Sequence, residues 1–307
     1  MCLLGIGRIR TSLNITSEPV ISNISPRVSS IYGGAILKII GNGFPRTNAS
    51  VIHVMVGSNP CLVIRSTSIR LECIIPAQGN NSDTANISVF SDTAIFSSSF
   101  SLNYSIIITP LVTAVNSTTV NNSRVLYIIG NHFIPGNTSV SVGDSLCFIN
   151  SLNSTFITCT IGSDLGTGQH SVVVFVDEVG NSNSDVFYTQ NLLLSHISPV
   201  KGSYGGGLPV TIFGQGFNTT NIGATVCNRP CASVTVVSNT QLICVTPNVS
   251  MNEVNDTCNL TVTIGNISVY ALFTYESNLT ATVTSLSPIR GGTGGGTILT
   301  ILGVNFA

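Results

Sequence analysis

One short pattern returns four times along this chain of 307 residues: Gly41-Asn42-Gly43-Phe44, Gly130-Asn131-His132-Phe133, Gly214-Gln215-Gly216-Phe217 and Gly303-Val304-Asn305-Phe306. The phenylalanines stand at 44, 133, 217 and 306, so successive copies are 89, 84 and 89 residues apart. A near-constant period of this size makes the chain a tandem array in which each copy builds its own small core. Before each glycine lies a matching quartet: Leu37-Lys38-Ile39-Ile40, Leu126-Tyr127-Ile128-Ile129, Val210-Thr211-Ile212-Phe213 and Leu299-Thr300-Ile301-Leu302. First and third members are aliphatic and the second is polar or amphipathic. That alternation predicts a strand with one buried face. The glycine that follows is read as the point where the strand bends.

Three copies open alike, as Ile24-Ser25-Pro26 with Gly33-Gly34, Ile197-Ser198-Pro199 with Gly205-Gly206-Gly207, and Leu286-Ser287-Pro288 with Gly294-Gly295-Gly296. Proline cannot donate to a ladder and ends a short strand. The paired glycines supply the positive φ of a tight turn. The second copy has Thr109-Pro110 and no Gly-Gly; Asn121-Asn122 takes the turn. The expected units are 22–109, 110–192 and 193–278, after an N-terminal segment 1–21 and before the opening 279–307 of a fourth. Short β-rich runs follow each signature at 51–56, 86–90, 171–176 and 259–264, and none has helical periodicity. About seven strands per unit predict an all-β protein of tandem immunoglobulin-like sandwiches. Boundaries such as 105–110 and 192–195 are short, which predicts units held end to end.

Only 7% of residues are charged and the formal net charge is −1. Phosphate neutralisation needs a basic stripe, so electrostatic nucleic-acid binding is excluded. Mean hydropathy is +0.45, ample for a core. No stretch reaches the ~20 apolar residues of a membrane helix. The apolar start is short and meets Arg8 and Arg10, unlike a signal peptide. An exported composition without a leader is read as an internal fragment of something longer, with any membrane span outside it.

Six of the nine cysteines follow the same period. Cys61 and Cys73 are twelve apart, as are Cys147 and Cys159, and Cys231 and Cys244 occupy the matching places in the third unit. Repetition therefore selects the bridges 61–73, 147–159 and 231–244 out of many connectivities. Cys227 and Cys258 form a fourth expected pair, and Cys2 is left over. Each short closure contributes about 3 kcal/mol on the chain-entropy account. There is no Cys-x-x-Cys, and His53, His132, His170 and His196 have no zinc spacing, so no metal is expected.

Asn-x-Ser/Thr acceptors begin at Asn14, Asn23, Asn48, Asn80, Asn86, Asn103, Asn116, Asn121, Asn137, Asn153, Asn218, Asn248, Asn255, Asn259, Asn266 and Asn278. Sugar at these sites would solvate a surface so poor in charge. No nucleophile elbow, zincin helix or phosphate loop occurs, so neither catalytic residues nor a cofactor are expected. The glycine run 291–296 leads into a strand pattern, without the helix N-terminus that binds anions. Asp177, Glu178 and Asp185 are too sparse for a calcium loop.

The Ser-Pro, Gly-Gly and Ile-x-Gly-x-x-Phe series resembles the IPT/TIG domain, an immunoglobulin-like fold found in plexins, the hepatocyte growth factor receptor, Rel-type transcription factors and fibrocystins. The likeness runs over nearly all of 22–306; the second unit carries it on Gly130–Phe133 and its cysteines. The Pro-Cys…Cys pair, tandem repetition and sequon density are most similar to the fibrocystins. That resemblance implies a non-enzymatic ectodomain segment of a large single-pass cell-surface protein, with a structural, adhesive or receptor role. Its implied partners are neighbouring repeats and an extracellular protein or glycan ligand. Three alternatives stay open: a ligand-binding segment of a plexin- or growth-factor-receptor-like protein, accessory binding domains of a secreted carbohydrate-active enzyme, and a DNA-binding or dimerisation module of the transcription-factor kind. The absence of a basic loop and the cysteine pairs oppose the last.

Overall fold

A computed structural model describes residues 20–44, 52–79, 82–91, 94–96, 99–120, 123–162, 165–252 and 256–306. Among them the chain is all-β, apart from one 3-10 turn at Ser277–Leu279.

The first unit comprises β1 (Val20–Ser25), β2 (Val28–Ser29), β3 (Ile36–Asn42), β4 (Ile52–Val56), β5 (Asn59–Ser66), β6 (Arg70–Ile74), β7 (Asp83–Ser91), β8 (Ala94–Phe96) and β9 (Ser101–Tyr104). Their order is β1-β3-β6-β5-β4-β7-β9-β2, with β8 beside β7. β5 turns the corner: Cys61 pairs with Val54 of β4, and Leu62 pairs with Ile74 of β6. The second unit has β10 (Leu111–Val120), β11 (Ser123–Asn131), β12 (Thr138–Val142), β13 (Ser145–Leu152), β14 (Phe156–Ile161), β15 (Gly168–Val176), β16 (Gly180–Asn181) and β17 (Phe187–Gln190). The order repeats as β10-β11-β14-β13-β12-β15-β16, with β17 on β15.

In the third unit the strands are β18 (Leu193–Ser198), β19 (Lys201–Gly202), β20 (Pro209–Gln215), β21 (Ile222–Val226), β22 (Arg229–Pro230), β23 (Ser233–Ser238), β24 (Gln241–Val245), β25 (Thr257–Ile264) and β26 (Ile267–Tyr275). Here two sheets separate fully, β18-β20-β24-β23 against β19-β26-β25-β21-β22. β27 (Thr282–Ser287) and β28 (Thr300–Val304) form a two-stranded sheet beyond them.

The buried residues fall into three separate cores, over 21–104, 112–188 and 192–275. Each is built from the quartets: Leu37, Ile39, Leu126, Ile128, Val210 and Ile212 are all fully buried. Leu299 and Ile301, the matching pair on and beside β28, are half exposed because no second sheet faces them.

The strand runs on through the signature glycine, as β3 to Asn42, β11 to Asn131 and β20 to Gln215. Gly41, Gly130 and Gly214 are absent from the positive-φ set; the left-handed residue is the next but one, Gly43, His132 or Gly216. What the glycine provides is room. A Cβ on Gly214 would run into the Leu193 carbonyl and lie 2.6 Å from the Phe217 ring, and Gly41 and Gly130 meet Phe44 and Phe133 in the same way.

Candidate functional site

The six period-matched cysteines and the extra pair of the third unit meet in four bridges, Cys61–Cys73, Cys147–Cys159, Cys231–Cys244 and Cys227–Cys258. Their Cα separations of 5.5, 5.4, 5.6 and 5.2 Å suit disulfide geometry. Cys61, Cys73, Cys147 and Cys159 are buried, so the bridges in the first two units lie inside their cores. Cys61 pairs in register with β4 and Cys73 with β3, which ties the two halves of the sandwich together. Cys227 sits in the β21–β22 turn at φ 51° and straps it to β25. Cys2 lies outside the described residues.

Eleven sequon asparagines are described: Asn23, Asn86, Asn103, Asn116, Asn137, Asn153, Asn218, Asn248, Asn259, Asn266 and Asn278. Every one is exposed. Asn14, Asn48, Asn80, Asn121 and Asn255 lie outside the described residues. Two strand-borne sites face exposed apolar side chains across the ladder, Asn23 opposite Ile40 and Asn259 opposite Leu272. Asn153 caps its hairpin by accepting the Thr155 and Phe156 amides on Oδ1.

Among the described residues no three His, Cys, Asp or Glu side chains converge on a metal position. Asp177 accepts the Glu178 amide, Glu178 pairs with Lys38 at 3.6 Å, and Asp185 accepts from Asn183. Burial pushes the Tyr104 and Tyr275 hydroxyls up to about 12. Their hydroxyls donate to the Pro76 and Pro247 carbonyls, at 2.9 and 3.0 Å.

The junctions are the part that sequence reasoning missed. The Ser29–Gly34 turn of the first unit docks on the β15–β16 hairpin of the second. Ser30 N donates to Val179 O at 2.7 Å, Asn181 N to Gly33 O at 2.8 Å, and Ser30 Oγ to Asn181 O at 2.6 Å. The second junction is built otherwise: Thr167 donates through N and Oγ1 to Gly216 O, and Arg124 donates to Gln215 Oε1. Beside it opens a groove of about 680 Å³ edged by Leu146, Phe148, His170 and Asn218. The Gly-Gly pair was the one available signal for the first junction, and it reads equally well as a plain turn.

Three disulfide-closed β-sandwich units in series, each opening on the same glycine-phenylalanine strand, define a class. The IPT/TIG domain matches residues 19–105, 110–189 and 192–279, and the chain belongs to that family. Among curated proteins it is 34% identical over 300 residues to fibrocystin-L of Mus musculus and 30% identical over 302 residues to fibrocystin-L of Homo sapiens. Each alignment covers 96% of this chain but only 7% of the relative. Fibrocystin of Canis lupus familiaris is 28% identical over 69% of the chain and 5% of the relative. Among solved structures, the plexin A4 extracellular region overlaps 88% of the chain and 30% of its own, at 14% identity and TM-score 0.29.

Proposed function

We propose that this chain is a non-catalytic spacer and display segment within the ectodomain of a large fibrocystin-like cell-surface protein. The observation that carries the reading is the exposure of all eleven described sequon asparagines across three units. Buried sequons would be idle sequence; exposed ones are open to a glycosyltransferase. Four cysteine pairs at disulfide Cα spacing fit the same oxidising, exported setting. The sugars supply the solvation that so few charges cannot, and on Asn23 and Asn259 they would cover Ile40 and Leu272.

A second reading, ligand capture, is supported by the outer face of the first unit. Ile36, Ile74 and Leu62 form one exposed apolar row across β3, β6 and β5. An extracellular protein partner suits such a row better than a glycan, which would need more polar groups.

The test is secretion of the chain from eukaryotic cells behind an added signal peptide, followed by enzymatic removal of N-glycans. The expected mass loss is well over ~10 kDa, at about 2 kDa per occupied site. A loss of one or two glycans' worth would contradict the reading.

A further inference from the structure

Two turns of this molecule are built alike, but only one is covered. Ser30-Ile31-Tyr32-Gly33-Gly34 of the first unit corresponds to Ser203-Tyr204-Gly205-Gly206-Gly207 of the third, since β2 and β19 pair in parallel with β9 and β26 in the same register. Both glycine pairs take positive φ, 61° and 91° against 69° and 79°. Gly34 N donates to Ile75 O, and Gly207 N donates to Thr246 O.

Both turns are latched by a threonine at the end of the following linker. Ile31 N donates to Thr109 Oγ1 and Tyr204 N to Thr280 Oγ1, at 3.1 and 3.0 Å. Each threonine hydroxyl in turn donates four residues back, to Ser105 O or Glu276 O. Even the next unit's first contact repeats. His132 at φ 61° donates from Nδ1 to Thr109 O at 2.8 Å, and Asn305 at φ 59° donates from Nδ2 to Thr280 O at 3.0 Å. The middle junction shares none of this: Gly216 stands at the equivalent place and accepts from Thr167 instead.

The difference lies in what faces the turn. At Gly34, a Cβ would collide with the Asn181 side chain of the β15–β16 hairpin. At Gly207 no described heavy atom beyond the glycine and its two chain neighbours lies within 4 Å of that position. Ser30 Oγ donates to Asn181 O, whereas Ser203 Oγ turns back to Thr280 Oγ1 at 3.3 Å.

We infer that the Ser203–Gly207 turn is a docking face for the β16-type hairpin of a complete IPT/TIG unit, the one that opens with β27 and β28. Recognition is by backbone: the Ser203 amide and Gly206 carbonyl meet a hairpin carbonyl and amide, and Gly207 admits the approaching side chain. Junctions of this array then alternate between a docked, latched kind and the kind in which Thr167 bonds Gly216 O, so its structural repeat is a pair of units. The inference rests on reading the chain as part of a longer array.

Amide hydrogen exchange on this chain and on one continued through the whole unit opening at Thr282 tests it. Exchange at Ser203 should slow about tenfold or more in the longer chain, the effect of one added hydrogen bond shielded from water. Amides of β24 should be unchanged. A folded fourth unit that leaves Ser203 exchanging as before overturns the inference. So does a parent sequence with no complete unit after β28. Peptide-level exchange over 201–208 in the full-length protein decides the case of an added unit that does not fold alone. Loss of the glycosylation result would sink the cell-surface reading and leave this comparison untouched.

Discussion

At Gly214 a single methyl group would have nowhere to go, since the Leu193 carbonyl and the Phe217 ring already occupy its place. Overpacking of this kind costs roughly 1–3 kcal/mol. Gly214→Ala should therefore lower the unfolding midpoint of the third unit. Gly223→Ala on β21, whose nearest atom would be 4.0 Å away, should be neutral or stabilising by up to about 1 kcal/mol. Equal effects from the two would contradict the packing account. The Gly-x-x-Phe spacing was plain in the sequence, but its reason was not. Phe217 folds back because Gly216 is left-handed, and the carbonyl it shares space beside comes from a strand about twenty residues upstream. Periodicity reports which faces are apolar; it does not report a close approach between strands.

Strands were the legible elements. The run at 51–56, from Ile52 on, and the runs at 171–176 and 259–264 lie on β4, β15 and β25, because alternation on a half-buried sheet leaves a period-2 trace. Corners left no trace: nothing in Asn59–Ser66 says that β5 serves both β4 and β6. The tyrosine latches are of the same hidden kind. Tyr104 ends β9 and Tyr275 ends β26, and each hydroxyl holds a proline carbonyl 28 residues upstream. Tyr188 of the second unit donates to Gln190 instead. Because burial raises the folded-state value to about 12 for Tyr104 and Tyr275, the folded chain retains these protons where the unfolded chain releases them. The stabilisation is thus complete below about pH 10 and is lost as pH rises through about 12. Denaturant titrations should show this alkaline decline in the wild type. In the doubly substituted Tyr104→Phe, Tyr275→Phe chain the decline should flatten, with about 1 kcal/mol lost per site at neutral pH. An unchanged alkaline slope would rule out these two groups as its source.

For the molecule as a whole, the repeat period revealed the number of units, and the separate cores follow from it. How the units touch was not legible. The bonds from Ser30 N to Val179 O and from Asn181 N to Gly33 O join residues far apart in the chain, and backbone hydrogen bonds of this sort need no particular side chain to make them. Short linkers and directly bonded junctions support the proposed spacer, which requires neighbouring sandwiches held end to end. Strands of six to eight residues at ~3.3 Å each, with their loops, make a unit roughly 35–40 Å long. Small-angle scattering on the secreted, deglycosylated chain tests this account most directly. Three units in line predict a maximum dimension of about 100–120 Å. A compact profile with a radius of gyration near ~19 Å, that of a single globule of this length, would contradict the spacer reading.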